Sequence, residues 1–385
     1  MLPLFRLMAL ITCVFPLVAS AATIDVLVGS YTKGEQPGLY AYRFNTDNGK
    51  LDARPWQQLR LDNPSWLVLS ADQKHVYAVN ENGPGARDVV GRASALSLDA
   101  QHKLTLRNQV ATLGDEPTFA SLSPDGRYLL VANYSGNADP GGSLAVLPVA
   151  ADGTLQPVTQ LSSYQASQVD KARQLSSHIH SVNFAPDGRF AYVADLGGDR
   201  VYAYRYAPGD NAEHPLQPAT KAFLALPPGS GPRHLVFDKT GRHAYLTLEM
   251  AGQVAVLDVA ADGALALRTV VNLFAPGFGG DKGAGAIHLS ADGRFLYAVD
   301  RGTDNHIAVF AVGVDGGLSL LQRRAAEGRQ PREFSIDPSG RFLLVAAQGD
   351  NRIAVIARDP ANGHLGKTLQ TIEVNAPSDI KFLKP

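Results

Sequence analysis

Residues 177–184 read SHIHSVNF. Histidines two apart on an extended chain point to the same side, roughly 6.5 Å from each other. His178 and His180 therefore admit three readings: the start of a metal site, a catalytic element, or packing. Elsewhere the chain carries Arg233, Glu249, Arg301 and Arg332, residue types that suit acyl chemistry. A histidine or a glutamate can take a proton from water near neutral pH, and arginines can stabilise an oxyanion. Whether these residues meet depends on the elements that carry them.

Those elements are repeats, which are sought first because missing them misreads a fold. SLSPDGRYLLVANY (121–134), NFAPDGRFAYVADL (183–196), VFDKTGRHAYLTLE (236–249), HLSADGRFLYAVDR (288–301) and SIDPSGRFLLVAAQ (335–348) share an apolar run, a turn with Gly-Arg, and a second apolar run. VLSADQKHVYAVNE (68–81) is a sixth copy, with Gln73-Lys74 in place of Gly-Arg. The interval of roughly 50 residues is that of four short strands. Glycine at the turn supplies the positive φ that a tight hairpin needs. No helical periodicity interrupts the strands.

The chain ends complete a seventh unit. VLVGSY (26–31) aligns with the second strand of a unit, and APSDIKFL (376–383) aligns with a first strand that has nothing after it. The expected fold is all-β: a seven-bladed β-propeller over residues 22–385, its ring closed by N- and C-terminal strands in one blade, which leaves no open edge.

The repeat then serves as a coordinate system. Eight positions before each hairpin glycine stand Ser65, Thr118, His180, Arg233, Gly285 and Arg332, with Ser378 from the closing strand; eight positions after stand Glu81, Tyr134, Leu196, Glu249, Arg301 and Gln348, with Tyr31 from the first unit. In a propeller both sets lie at one mouth of the central channel, where a site is sought. His180, Arg233, Glu249, Arg301 and Arg332 depart from the small or apolar types of the repeat and collect there. The plainer reading is salt bridges between blades and a hydrogen-bonded structural histidine; a base and three arginines on one side of the ring favour chemistry. The register puts His180 at the mouth and His178 in or near the loop before the strand. His234, Asp195 or Glu249 could complete a metal site with the two histidines, but the neighbouring arginines disfavour a cation, so neither a metal nor another cofactor is expected.

Other classes are excluded or weakened. There is no G-x-S-x-G elbow and no P-loop, and GFGGDKGAG (277–285) misses G-x-G-x-x-G. Residues 1–21 read as a secretory signal peptide, with an apolar run from Leu7 to Val18 and Ala19-Ser20-Ala21 at the cleavage site. Cys13, the single cysteine, lies inside it. A net charge of -1 without a basic run argues against nucleic acid and membrane surfaces. A monomer is expected from a closed ring.

With these residues in hand, the sequence resembles the seven-bladed lactonases, the family of propeller-type 6-phosphogluconolactonases and carboxymuconate-lactonizing enzymes. The likeness runs from VGSYT (28–32) through NPSWLVLS (63–70), HIHSVNFAPDGR (178–189), GPRHLVF (231–237), YLTLE (245–249) and RFLYAVDRG (294–302) to QPREFSID (330–337). It implies a catalytic set of His180, Arg233, Glu249 and Arg301, with either His180 or Glu249 as base. His178, His234, Arg332, Asn133, Asp195 and Asp300 are expected around the substrate. Ser177 stands where relatives often have proline, and Asp300 where many have asparagine, which bears on substrate preference. The expected reaction is hydrolysis of an aldonolactone, glucono-1,5-lactone foremost, because a signal peptide leads to the periplasm, where sugar phosphates are scarce. A muconate-type cycloisomerase and a non-catalytic binding platform are the alternatives.

Overall fold

The computed structural model describes residues 23–135 and 142–384, so the expected signal peptide lies outside the described residues. Among them the chain forms seven antiparallel sheets and no α-helix. Each sheet is a blade, and the seven-bladed β-propeller expected from the repeats is what the chain builds. The inner strands are Pro64–Leu69, Asp115–Leu122, Ile179–Phe184, Pro232–Phe237, Ala284–Leu289, Pro331–Ile336 and Pro377–Phe382. Each touches the next around the channel, and the last returns to the first.

Burial explains the sequence pattern. The second strand of a blade packs against neighbouring blades on both faces, so Phe190–Asp195, Phe295–Asp300 and Phe342–Ala347 are buried throughout and read as continuous apolar runs instead of alternating ones. Outermost strands such as Leu104–Ala111 and Leu318–Ala325 are largely exposed. A repeated tyrosine pins blade to blade. The hydroxyls of Tyr77, Tyr192, Tyr245 and Tyr297 donate to the carbonyls of Gly153, Gly263, Gly316 and Gly363 at 3.1, 2.9, 3.0 and 2.7 Å, so each buried phenol keeps a partner. The hairpin glycines Gly126, Gly188, Gly241, Gly293 and Gly340 all have positive φ, and Gln73 takes the same conformation at φ 55° in the sixth copy.

The closure is the one the chain ends suggested. Pro377–Phe382 is innermost in the sheet of Thr23–Ser30, with Val28 opposite Ile380. The side chain of Asp379 reaches across the seam and accepts the Leu67 N–H at 2.7 Å. The terminal strand is therefore bonded on one side as a strand and on the other through a buried carboxylate.

Candidate active site

Every inner strand slips its register at the position counted from the repeat. The pairing jumps across Ser65, Thr118, His180, Arg233, Gly285, Arg332 and Ser378. A β-bulge re-aims a side chain and lets neighbouring residues share one face, which is how Arg233 with His234, and Arg332 with Glu333, serve the channel together. Beyond the second strand, the N–H groups of Glu249 and Arg301 donate to Gly231 and Gly283 at 2.7 and 2.8 Å. These bonds fix both residues above the bulges.

Glu249 is the hub of the mouth. Arg173 Nη2 donates to its Oε1 at 2.8 Å, Arg301 Nη2 donates to its Oε2 at 3.3 Å, and Arg233 Nε lies 3.0 Å from the same Oε2 but off the hydrogen-bonding line. Burial alone would raise the Glu249 carboxyl, but the charges of Arg301 and Arg233 and the Arg173 hydrogen bond outweigh it and hold the group far below the ordinary carboxylate range. Arg233 is 1% exposed. Its burial and the charge of Arg301 lower it to about 9, which leaves it cationic at neutral pH. Gly285 sits under this group, where an added Cβ would lie 2.8 Å from Val299 and 3.5 Å from the Arg301 side chain.

The three histidines differ. His180 is buried, its ring 5.6 Å edge-on to Tyr134 and 5.2 Å from His234, and its Nδ1 has no protein partner. Burial and the Arg233 charge push it well below the ordinary imidazole value, so it is neutral with a lone pair to offer. His178 stacks on Tyr134 at 4.4 Å, and its Nδ1 lies 2.9 Å from the Tyr134 carbonyl oxygen. His234 lies deeper, edge-on to Trp66 and Phe119 at 5.4 and 5.3 Å. Among the described residues no group of three or more His, Cys, Asp or Glu side chains is placed to hold a metal ion.

Of the residues expected around the substrate, three are engaged in the scaffold instead. Asn133 is buried and donates to Thr112 O and Ser143 Oγ at 3.2 and 3.0 Å. Asp195 accepts from His178 N, Gly198 N and Ser177 Oγ at 2.9, 3.0 and 3.1 Å. Asp300 accepts from Gly283 N, Gly302 N and Asn305 N at 2.9, 3.2 and 3.3 Å. Each lies on a second strand that is buried on both faces, so its side chain turns to the loop backbone and holds the site from behind. Ser177, read as bearing on substrate preference, belongs to the Asp195 staple.

Arg332 does stand at the mouth, bonded not to its neighbour Glu333 but to Glu81, with Nη2 donating to Oε1 and Oε2 at 3.2 and 3.1 Å. Its guanidinium lies 5.0 Å from the Tyr31 ring, and the Tyr31 hydroxyl donates to Glu81 at 2.7 Å. Glu81, Tyr31 and Tyr134 were in the register without being singled out. Arg173 was missed outright. It sits in the connection between Gln160–Ser163 and Ile179–Phe184, and the only trace of that connection in the sequence is the long interval from Gly126 to Gly188.

Four arginines and two glutamates converge on this mouth, an arrangement with surplus positive charge suited to a carbonyl that becomes an oxyanion. Comparison with known proteins agrees with that chemistry. Residues 25–382 match the family model described as Lactonase, 7-bladed beta-propeller. The chain is 32% identical to a 6-phosphogluconolactonase of Formosa agariphila over 93% of this chain and 99% of the relative. It is 30% identical to a 6-phosphogluconolactonase of Bacillus subtilis, over 92% and 97%. Among solved structures, the Pseudomonas aeruginosa periplasmic gluconolactonase PpgL superposes with a TM-score of 0.91 at 49% identity, covering 94% of this chain and 99% of that one. A match along nearly the whole chain, on the fold that carries the arginine-ringed mouth, places the protein in the seven-bladed β-propeller lactonase family.

Proposed function

We propose that the protein hydrolyses an unphosphorylated aldonolactone, glucono-1,5-lactone foremost, in the periplasm. The observation that carries the chemical reading is a neutral, buried His180 beside arginines whose counter-ion, Glu249, is fully engaged. Glu249 is too weak a base for the task, and this favours His180 between the two candidates. Water attacks the lactone carbonyl carbon as His180 takes its proton, and the oxyanion is stabilised by Arg233 and Arg301. The tetrahedral intermediate collapses with cleavage of the ring C–O bond, and His180 returns the proton to the leaving oxygen. The product is the open hydroxy acid, ionised at neutral pH. Arg332, 13% exposed at its side chain, would orient hydroxyls or the product carboxylate.

The leader-like residues 1–21 and the similarity to a protein described as a periplasmic gluconolactonase support the compartment and the free sugar lactone. The surplus of positive charge favours a second reading, the 6-phosphorylated lactone named for two relatives. Acid release in a pH-stat from the two lactones in parallel decides between them. A kcat/KM at least tenfold higher for the free lactone is expected, and a preference for the phosphorylated one overturns the substrate assignment. Expression with and without residues 1–21, followed by fractionation, tests the compartment: periplasmic recovery of the full-length chain alone is expected.

A further inference from the structure

Beside His180 the channel holds a small cavity of about 10 Å³, lined by Ser65, Thr118, His180, Arg233, His234 and Glu333 among others. That is room for about one water molecule. Four of the lining residues carry a buried polar atom with no hydrogen-bond partner in the protein: Arg233 Nε, which faces Glu249 Oε2 at 3.0 Å, and Ser65 Oγ, His180 Nδ1 and Glu333 Oε2, which face no counter-charge so close. All four residues are more than nine-tenths buried. Buried polar atoms are seldom left unpaired, and a cavity of one-water size whose lining residues carry such atoms suits a bound water.

The far side of that site is also organised. Glu333 Oε1 lies 2.6 Å from His288 Nε2 and accepts the Phe334 N–H at 2.8 Å, while Oε2 is 3.9 Å from His234 Nδ1. The other charged groups facing Glu333 are Lys381, Asp379 and Arg233. Burial alone would raise Glu333, but His288 and Lys381 outweigh it and keep it a carboxylate. A carboxylate with one oxygen fixed and the other open to the cavity can only accept.

We propose that one buried water joins His180 Nδ1 to Glu333 Oε2, with Ser65 Oγ as its third partner, so that Glu333 fixes the tautomer of His180. The water donates to Glu333 and accepts from Nδ1–H, which leaves the lone pair on Nε2 to receive the proton of the attacking water. Glu333 is then a positioning residue, acting through a water on a base it does not touch. This rests on His180 being the base.

The test uses the whole enzyme with 15N-labelled histidine, the His180 signals being assigned by difference with His180→Gln. At neutral pH the wild type should show Nδ1 protonated and Nε2 bare. In Glu333→Gln the population should move toward the Nε2–H form, and kcat should fall 10- to 100-fold, the range for a lost supporting hydrogen bond, with KM changed less than twofold. Ser65→Val, which fills the cavity from the opposite wall without touching the Glu333–His288 pair, should shift the same signals, so the proposal stays testable if Glu333→Gln does not fold. A wild-type His180 protonated on Nε2, or signals unmoved by both variants, overturns it. If the tautomer follows Glu333 while His180→Ala keeps full activity, the hydrogen-bond link stands and the reading of His180 as base fails.

Discussion

Glu249 Oε2 lies 3.0 Å from Arg233 Nε, and the two side chains are 5% and 1% exposed. So complete a burial of opposite charges is stable only as a set, because removing one partner leaves the other unpaired in a medium that cannot solvate it. The carboxylate also holds Arg301 and Arg173. Its chemical role is to keep three cations in place, a role that an isosteric amide cannot fill. Glu249→Gln should lower kcat on the order of 10²-fold and destabilise the fold by roughly 3 kcal/mol, read by steady-state kinetics and thermal unfolding. A variant of unchanged stability would mean that the cluster is held by something else.

The rate should be insensitive to pH where an ordinary histidine titrates. His180 is active when neutral, and burial with the Arg233 charge keeps it neutral to well below 6.5. With spontaneous hydrolysis subtracted, kcat/KM should be flat between about pH 6 and 8 and should decline as Arg233 approaches its lowered value of about 9. An inflection near 6.5 would show a solvated histidine and contradict this environment.

How far the sequence was legible follows from what periodicity can carry. The hairpin repeat located the mouth residue by residue, and the complementary ends near Val28 and Ile380 revealed the closure, because both depend on local pattern and count. The bulges at those same positions were invisible, since a register slip is a relation between two strands. Asn133, Asp195 and Asp300 looked like mouth residues for a related reason. Position along a strand was readable, but the direction in which a side chain leaves a doubly buried strand was not. Arg173 comes from a connection outside the repeat, where the coordinate system has nothing to count.

Asp195 should leave a signature in stability instead of rate. Burial raises it to about 6 in the folded protein, against hydrogen bonds from His178, Gly198 and Ser177 that lower it, and from an ordinary value of 3.8. A group raised on folding contributes stability fully present below its unfolded value and lost as pH rises through the folded one. The stability of wild type relative to Asp195→Asn should therefore fall between about pH 4 and 6, by up to about 3 kcal/mol, and level off above. Denaturant unfolding of both proteins across that range checks it; a constant difference would mean that Asp195 is ionised throughout.

Arg173 separates function from stability. Its side chain is 43% exposed, so solvent screens its bond to Glu249 and its loss should cost less than about 1 kcal/mol of stability. Arg173→Ala should nonetheless lower kcat/KM about tenfold, a change of about 1.4 kcal/mol in transition-state binding, because Glu249 Oε1 loses its hydrogen-bond donor. Melting curves and initial rates measured side by side would show this. An unchanged kcat/KM would make the arginine a surface contact.

The most direct test of the whole account is the initial rate of acid release from glucono-1,5-lactone with wild type and His180→Ala at one protein concentration. The account predicts a wild-type rate well above spontaneous hydrolysis and a loss of 10²- to 10⁴-fold in the variant, with both proteins equally folded by circular dichroism. A wild-type rate no greater than the spontaneous one, or a His180→Ala rate equal to wild type, would contradict it.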